Sequence, residues 1–217
     1  DHTILSGGDQ LINAGGTAID TTIKSGGNQI AEAGGILAGT QTIEAGGVAS
    51  GGTLTGTQEV AGMATDITVS GTQNIKNGGT AVRTTVNNGG TQSVLSGGTA
   101  TDTTLKNKGK QIVSSGGVAS GGTFSGEDSN TRGYQEVYEG GTVVGAIFSA
   151  YGNQTVTGGM ARDTTVTSGG IQAITNKGVS LNAVIMSGGT QSATEGGILA
   201  GTQTIEAGAS ASGGTLK

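Results

Sequence analysis

Apolar and polar positions alternate in short bursts broken by paired glycines, and the pattern returns every 19 residues. Residues 7–25 read GGDQLINAGGTAIDTTIKS and residues 89–107 read GGTQSVLSGGTATDTTLKN. Gln10 to Gln29, Gln73 to Gln92, Gln92 to Gln111, Gln135 to Gln154 and Gln172 to Gln191 each span 19 positions. Within one phrase Gln10 and Ile12 share a parity, Ala18 stands alone, and Thr21 and Ile23 share a parity. Side chains of a strand point to alternate faces, so each set points one way. Three short strands are predicted, joined at Gly7-Gly8, at Gly15-Gly16 and at Asp20. Glycine supplies the positive φ that such corners need. No i, i+3, i+4 stripe survives the glycine pairs, which excludes helix. A repeat of this length buries its apolar side only against its neighbours, which defines a solenoid. The predicted fold is all-β: a right-handed parallel β-helix of about eleven 19-residue coils with three short strands per coil. Coils stacked at roughly 4.8 Å make a rod on the order of 50 Å long.

The repeat sorts residues into columns. Ile12, Ile75, Val94, Val113, Val137, Val156 and Ile174 form one inward column. Ile23, Val69, Val86, Leu105, Phe124, Phe148 and Val166 form a second. Ala18, Ala64, Ala81, Ala100, Ala119 and Ala161 form a third. The glutamines at 10, 58, 73, 92, 111, 135, 154, 172 and 191 share the inward parity. A stacked amide donates to one neighbour and accepts from the other, so such a column satisfies itself. Thr22, Thr85, Thr104 and Thr165 form an outward row, while Thr21, Thr84, Thr103 and Thr164 before them face inward. The flat T-x-T face of ice-binding solenoids is therefore missing.

The period breaks in three places. Gln29 to Gln41 and Gln191 to Gln203 are only 12 apart, both within copies of GGILAGTQTIEAG at 34–46 and 196–208. Either these coils lose part of a strand or Gln41 and Gln203 stand on a different side of the rod; both readings stay open. Gln111 to Gln135 is 24, and the extra residues predict a polar loop near 125–133. Asp1-His2-Thr3-Ile4 matches the third strand of a coil, and Ser212-Gly213-Gly214-Thr215-Leu216 matches residues 50–54. Neither end carries a polar cap. The expectation is one β-helix domain over 1–217, cut from a longer protein.

Composition narrows the chemistry. Of 217 residues 46 are Gly, none is Pro, Cys or Trp, and 32% are apolar. A thick globular core is out of reach at that apolar content, whereas a thin solenoid core is not. The net charge of −5 with no basic patch argues against nucleic acid. The single histidine, His2, makes a Ser-His-Asp or Cys-His site implausible. Glycine pairs followed by Thr-Ala or x-Gln do not form calcium-binding nonapeptides; no metal and no cofactor is expected. Asp66, Arg83 and Asp102 share the corner position of Asp20 and predict a surface charge ladder. All five aromatics fall between 124 and 151. Phe124 and Phe148 read as core. Tyr134 and Tyr138 have outward parity and Tyr151 replaces a corner glycine, so these three form the candidate binding residues.

The phrases GGTAIDTTIKSGGNQI and GGTATDTTLKNKGKQIVSSGGVAS resemble the repeats of AIDA-type self-associating autotransporter adhesins, and the resemblance runs over essentially the whole chain. It implies a non-enzymatic passenger at the bacterial surface, held to the outer membrane by a C-terminal barrel absent here. It implies cell–cell aggregation with the same protein on neighbouring cells, biofilm formation, and attachment to a host-cell protein or glycan. Some members are O-heptosylated on serine by a heptosyltransferase partner. The matching positions are Ser6, Ser25, Ser96, Ser115, Ser168 and Ser187, each directly before Gly-Gly, where corner hydrogen bonding is the plain alternative. A glycan-processing β-helix enzyme and a pure stalk are the rival readings.

Overall fold

The structure, a computed structural model, describes residues 2–4 and 6–216, with backbone only for His2, Thr3, Ile4 and Leu216. Asp1, predicted to open a strand, lies outside the described residues. Every ladder between strands is parallel, and the strands wind into a solenoid of about eleven turns. In the middle of the rod each coil contributes three strands. Thr72–Ile75, Thr80–Val82 and Thr85–Val86 stack on Thr91–Val94, Thr99–Thr101 and Thr104–Leu105. These define a glutamine side, an alanine side and a threonine side.

The residue pattern accounts for this arrangement. On the glutamine side the burial alternates, so Gln92 and Val94 are buried while Thr91 and Ser93 lie at the surface. The interior is a thin seam of Val, Ile, Leu and Ala, most of them fully buried. Phe124 and Phe148 are its largest members; their rings stack with centroids 4.6 Å apart and planes 13° apart. Corners between the alanine and threonine sides are single residues in the left-handed region: Asp66, Arg83, Asp102, Gly121, Gly145, Asp163 and Asn182. Asp and Asn tolerate that region better than other residues with a Cβ.

The two 12-residue spacings have one explanation. In residues 28–43 the alanine strand runs through Gly39 directly into Thr40–Ile43, and the third strand of the phrase is missing. The chain has therefore travelled only two sides of the triangle when the next glutamine arrives. Thr42 and Ile43 stack on Thr22 and Ile23, a third-strand pair. Gln29 stacks beneath Ala49, which stacks beneath Ala64. The repeat phrase thus turns by one side of the rod. The same step recurs when Thr204 and Ile205 stack on Val184 and Ile185. Of the two readings left open by the sequence, the different-side reading is correct for Gln41 and Gln203. In both steps the corner residue of the preceding coil caps the displaced segment: Asp20 Oδ1 accepts from Thr40 N at 2.8 Å, and Asn182 Oδ1 from Thr202 N at 3.0 Å.

The step corrects the sequence columns at their N-terminal ends, and Gln10 stacks under Gln29 and Ala49 instead of under Gln58. Ile12 stacks on Ala31 and not in the Ile75 column. Ile23 joins Ile43, Val60 and Ile75 instead of Val69. Ala18 joins Leu37, Leu54 and Val69 instead of Ala64. Thr22 lies under Thr42 and Glu59, apart from Thr85, Thr104 and Thr165. From Gln58 to Gln172 the columns run as the sequence predicts.

The glutamines nevertheless form one continuous ladder. Gln73 Nε2 donates to Gln58 Oε1 at 2.6 Å, Gln92 to Gln73 at 2.7 Å, and Gln111 to Gln92 at 2.7 Å. The same polarity continues through Gln135, Gln154 and Gln172 to Gln191. At the step Gln41 donates to Gln29 from the neighbouring side, so the ladder crosses the interior without a break. Gln29 in turn donates to Gln10 at 2.6 Å. Each amide is buried or nearly so, and a broken link would leave a desolvated donor or acceptor costing about 1–3 kcal/mol.

Candidate binding surface

Three structural devices place side chains on the outside of this rod: the outward rows of each side, the corners, and one loop. The outward rows of the alanine side are almost free of charge. Val48, Met63, Thr80, Thr99 and Val118 stack in register along one of them. Met63 is 43% exposed and Val118 39%. The threonine side presents Thr53, Thr68, Thr85, Thr104 and Thr123 in one stack. Thr21, Thr84, Thr103 and Thr164 are buried, as their parity predicts.

Charge concentrates on the glutamine side and at the corners. Lys76 Nζ lies 2.9 Å from Glu59 Oε2, and Lys110 Nζ 2.9 Å from Glu136 Oε1. At the corner, the Arg83 guanidinium grips both oxygens of Asp66 at 2.7 Å. That contact holds the Asp66 carboxyl below its ordinary pKa, and both groups stay more than half exposed. Asp66, Arg83 and Asp102 do occupy successive corners, but Asp20 does not share their edge. The step carries Asp20 to the next edge, under Gly39.

The three tyrosines border one stretch of the glutamine side. Tyr134 and Tyr138 lie at the two ends of the strand Tyr134–Tyr138, both pointing outward and 36% and 43% exposed. Tyr134 pairs with Asn153 of the next coil, and Tyr151 precedes Asn153 by two residues at the corner. Tyr151 has φ 69°, in a corner where neighbouring coils carry Gly169 and Gly188 at φ 78° and 76°. A bulky side chain held there stores roughly 1–2 kcal/mol of strain. Between the tyrosines, the Tyr138 hydroxyl donates to Glu136 Oε2 at 2.7 Å. This hydrogen bond, with partial burial and the carboxylate charge, pushes the Tyr138 pKa above its usual value. Lys110, Glu136 and Tyr138 thus form one linked group.

Sequence reading found the tyrosines but not Glu136 or Lys110. The signal was present: Glu136 has the same outward parity as its flanking tyrosines, and Lys110 fills the row position of Tyr134 one coil earlier.

The residues after Phe124 form a closed excursion at the corner beneath Tyr151. Gly133 N donates to Ser125 O at 2.9 Å across its base. Inside, Asp128 Oδ1 accepts from Asn130 N at 2.7 Å and Thr131 N at 2.9 Å, and the Thr131 hydroxyl accepts from Glu127 N and Asp128 N. Gly126 N donates to Ala150 O at 2.7 Å, which joins the loop to the Tyr151 corner.

The six serines are all exposed, on two edges of the rod. Ser6, Ser25, Ser96 and Ser115 lie on the edge between the glutamine and alanine sides. Ser168 and Ser187 lie on the edge between the threonine and glutamine sides. The step is what moves Ser6 and Ser25 onto the edge of Ser96. The serine hydroxyls overhang glycines of the following coil: a Cβ on Gly116 would lie 2.7 Å from the Ser96 Oγ, and one on Gly140 2.5 Å from the Ser115 Oγ.

The fold and this surface define an elongated β-solenoid that presents stacked polar rows, a tyrosine patch and serine-bearing corners. Residues 77–127 match the family described as "Adhesin of bacterial autotransporter system, probable stalk". A crystal structure of a TibC-catalysed, hyper-glycosylated TibA fragment (its residues 55 to 350) superposes with a TM-score of 0.75 at 37% identity. That match covers 96% of this chain and 79% of the other. No curated protein sequence matches. The chain belongs to the AIDA-type autotransporter adhesins, as an extracellular passenger rod.

Proposed function

We propose that this rod is a non-catalytic adhesive passenger. It joins cells through contact with copies of itself on neighbouring cells, supports biofilm formation, and attaches to host surfaces through the patch of Tyr134, Tyr138 and Tyr151. An outer-membrane barrel in the same polypeptide anchors it. The observation that carries this reading is the set of long, flat, sparsely charged outer rows, in a family of adhesins. Many weak contacts along two aligned rods sum by multivalency, and low charge limits repulsion between them. The Asp66–Arg83 pair supports a non-catalytic role, because the best carboxylate of that corner is spent on an exposed ion pair.

Beads coated with the purified rod test the proposal. Aggregation is expected, and Thr-to-Lys substitutions at Thr68, Thr85, Thr104 and Thr123 together, or at Thr80, Thr99 and Thr142 together, should abolish it on whichever side mates. Dispersed beads at every loading, or release of reducing sugar from a polysaccharide panel, would overturn it.

The serines before the glycine pairs are proposed as heptose acceptors for a partner heptosyltransferase. They are exposed on two edges, and the TibA fragment is described as hyper-glycosylated. Intact mass of the protein co-expressed with such an enzyme checks this, and loss of mass on Ser96→Ala and Ser115→Ala assigns the edge.

A further inference from the structure

We infer that the tyrosine patch is a platform for a short neutral oligosaccharide, lying across the glutamine side parallel to the strands. The inference rests on the reading of the three tyrosines as a receptor patch, and it names the ligand class.

Ring orientation comes first. The Tyr138 hydroxyl reaches back two residues to Glu136 on its own strand. A ring tethered in that way leans along the strand, with one face toward the sheet and the other toward solvent. A flat, half-exposed ring complements the C–H face of a pyranose. Fixing it in advance removes rotamer entropy that binding would otherwise cost.

Spacing comes second. Tyr134 and Tyr138 are four residues apart on an extended strand, or ~13 Å. That separation suits a chain of several sugars and is too long for one. Tyr151 stands beside Tyr134 on the next coil, so the patch has aromatic groups at both ends.

The middle of the patch supplies hydrogen bonds of both senses. Glu136 accepts, Lys110 donates, and Asn153 and Thr155 form the adjacent row on the next coil. Vicinal hydroxyls, which donate and accept at once, match this mixture.

Charge selects the class. Lys110 pairs with Glu136, and Lys108 and Arg132 at the Tyr134 end stand beside Glu127 and Asp128 of the loop, so positive charge around the patch is balanced and favours no sulfated or sialylated chain. A net charge of −5 on the protein further disfavours polyanions.

Saturation-transfer NMR with the whole chain tests this, using lacto-N-neotetraose and chitotetraose as neutral probes and heparin as the acidic one. At least one neutral probe should receive saturation through its ring C–H protons. Tyr134→Ala and Tyr138→Ala should each weaken it by about tenfold. Tyr138→Phe keeps the ring but frees it, and should fall between wild type and Tyr138→Ala. Far-UV dichroism on each variant confirms that the rod still folds. Binding of heparin alone, or neutral binding untouched by all three substitutions, overturns the inference. Beads that aggregate while no neutral probe binds overturn it and leave adhesion standing. Neutral binding on rods that do not aggregate supports it and removes self-association.

Discussion

The coils from Gln73 to Gln111 and the step from Gln29 to Gln41 are made of the same strands, yet they set different relations between sequence and space. In the regular coils one phrase is one turn, and every residue sits over its counterpart 19 positions back. In the step the third strand is left out, and a glutamine strand stacks on a threonine-type strand. Hydrogen bonding survives because parallel ladders depend on backbone, not on side-chain identity. Packing survives because each side receives an inward aliphatic residue, whichever strand supplies it. The lesson is that the unit of this solenoid is the single strand with its corner, and the 19-residue phrase is three such units.

Steric room is the sharpest way to break the comparison. Gly51, where the step closes, has φ 71° and would place a Cβ 2.1 Å from the Ala31 carbonyl oxygen. Gly78, in a regular corner, has φ 79° and nothing within 4 Å of its Cβ position. Gly51→Ala should destabilise by more than about 3 kcal/mol, and Gly78→Ala by about 1 kcal/mol. Urea titration followed by dichroism measures both; Gly79 beside Gly78 would set a Cβ 2.0 Å from the Val60 carbonyl oxygen, so equal effects at Gly51 and Gly78 would show that the chain over the step gives way to a Cβ without cost.

The ladder gives the next largest effect. Gln41→Leu and Gln92→Leu each strand a buried donor and a buried acceptor, and each should cost about 2–4 kcal/mol. A much smaller loss for Gln41→Leu would mean that the crossing between sides carries little of the ladder's energy.

Register can be read without any stability change. Thr22 and Thr42 are direct neighbours on adjacent parallel strands. Cysteines at those two positions should form a disulfide on mild oxidation, since neighbouring strands place Cα atoms ~5 Å apart. Cysteines at Thr22 and Thr53, which stacks with Thr68 and Thr85 in the row that the sequence assigns to Thr22, should stay reduced. The reverse result would remove the step.

The smallest effect belongs to the charged corner. Arg83→Ala should lower the urea midpoint at pH 7 only slightly, because the pair is exposed. The Asp66 pKa is lowered in the folded state, so its contribution is present above pH 3.8 and fades as pH falls through the folded value. A slight loss of stability below pH 4 in wild type, absent in Arg83→Ala, is the expected signature.

Most of the fold could be read from residues that repeat. Ile75, Val94 and Val113 announce a column because a strand has period two and the coil has period 19, and nothing else satisfies both. The rotation at Gln41 was not decidable from spacing, because a shortened coil and a missing strand remove similar numbers of residues. What decides it is the pairing of Ile43 with Ile23, a contact between two different elements of the phrase. The binding surface was legible only in part, for a similar reason. Tyr134 and Tyr138 stand out by rarity, whereas Lys110 is one of ten basic residues until its ammonium is seen beside Glu136.

The glutamine ladder has a direction. From Gln29 to Gln191 each carboxamide donates to the glutamine before it, toward the start of the chain, so their dipoles add along the axis. Among the described residues the Gln191 carbonyl oxygen is left without a donor, where the column passes from Gln191 to Ala211 in the next coil.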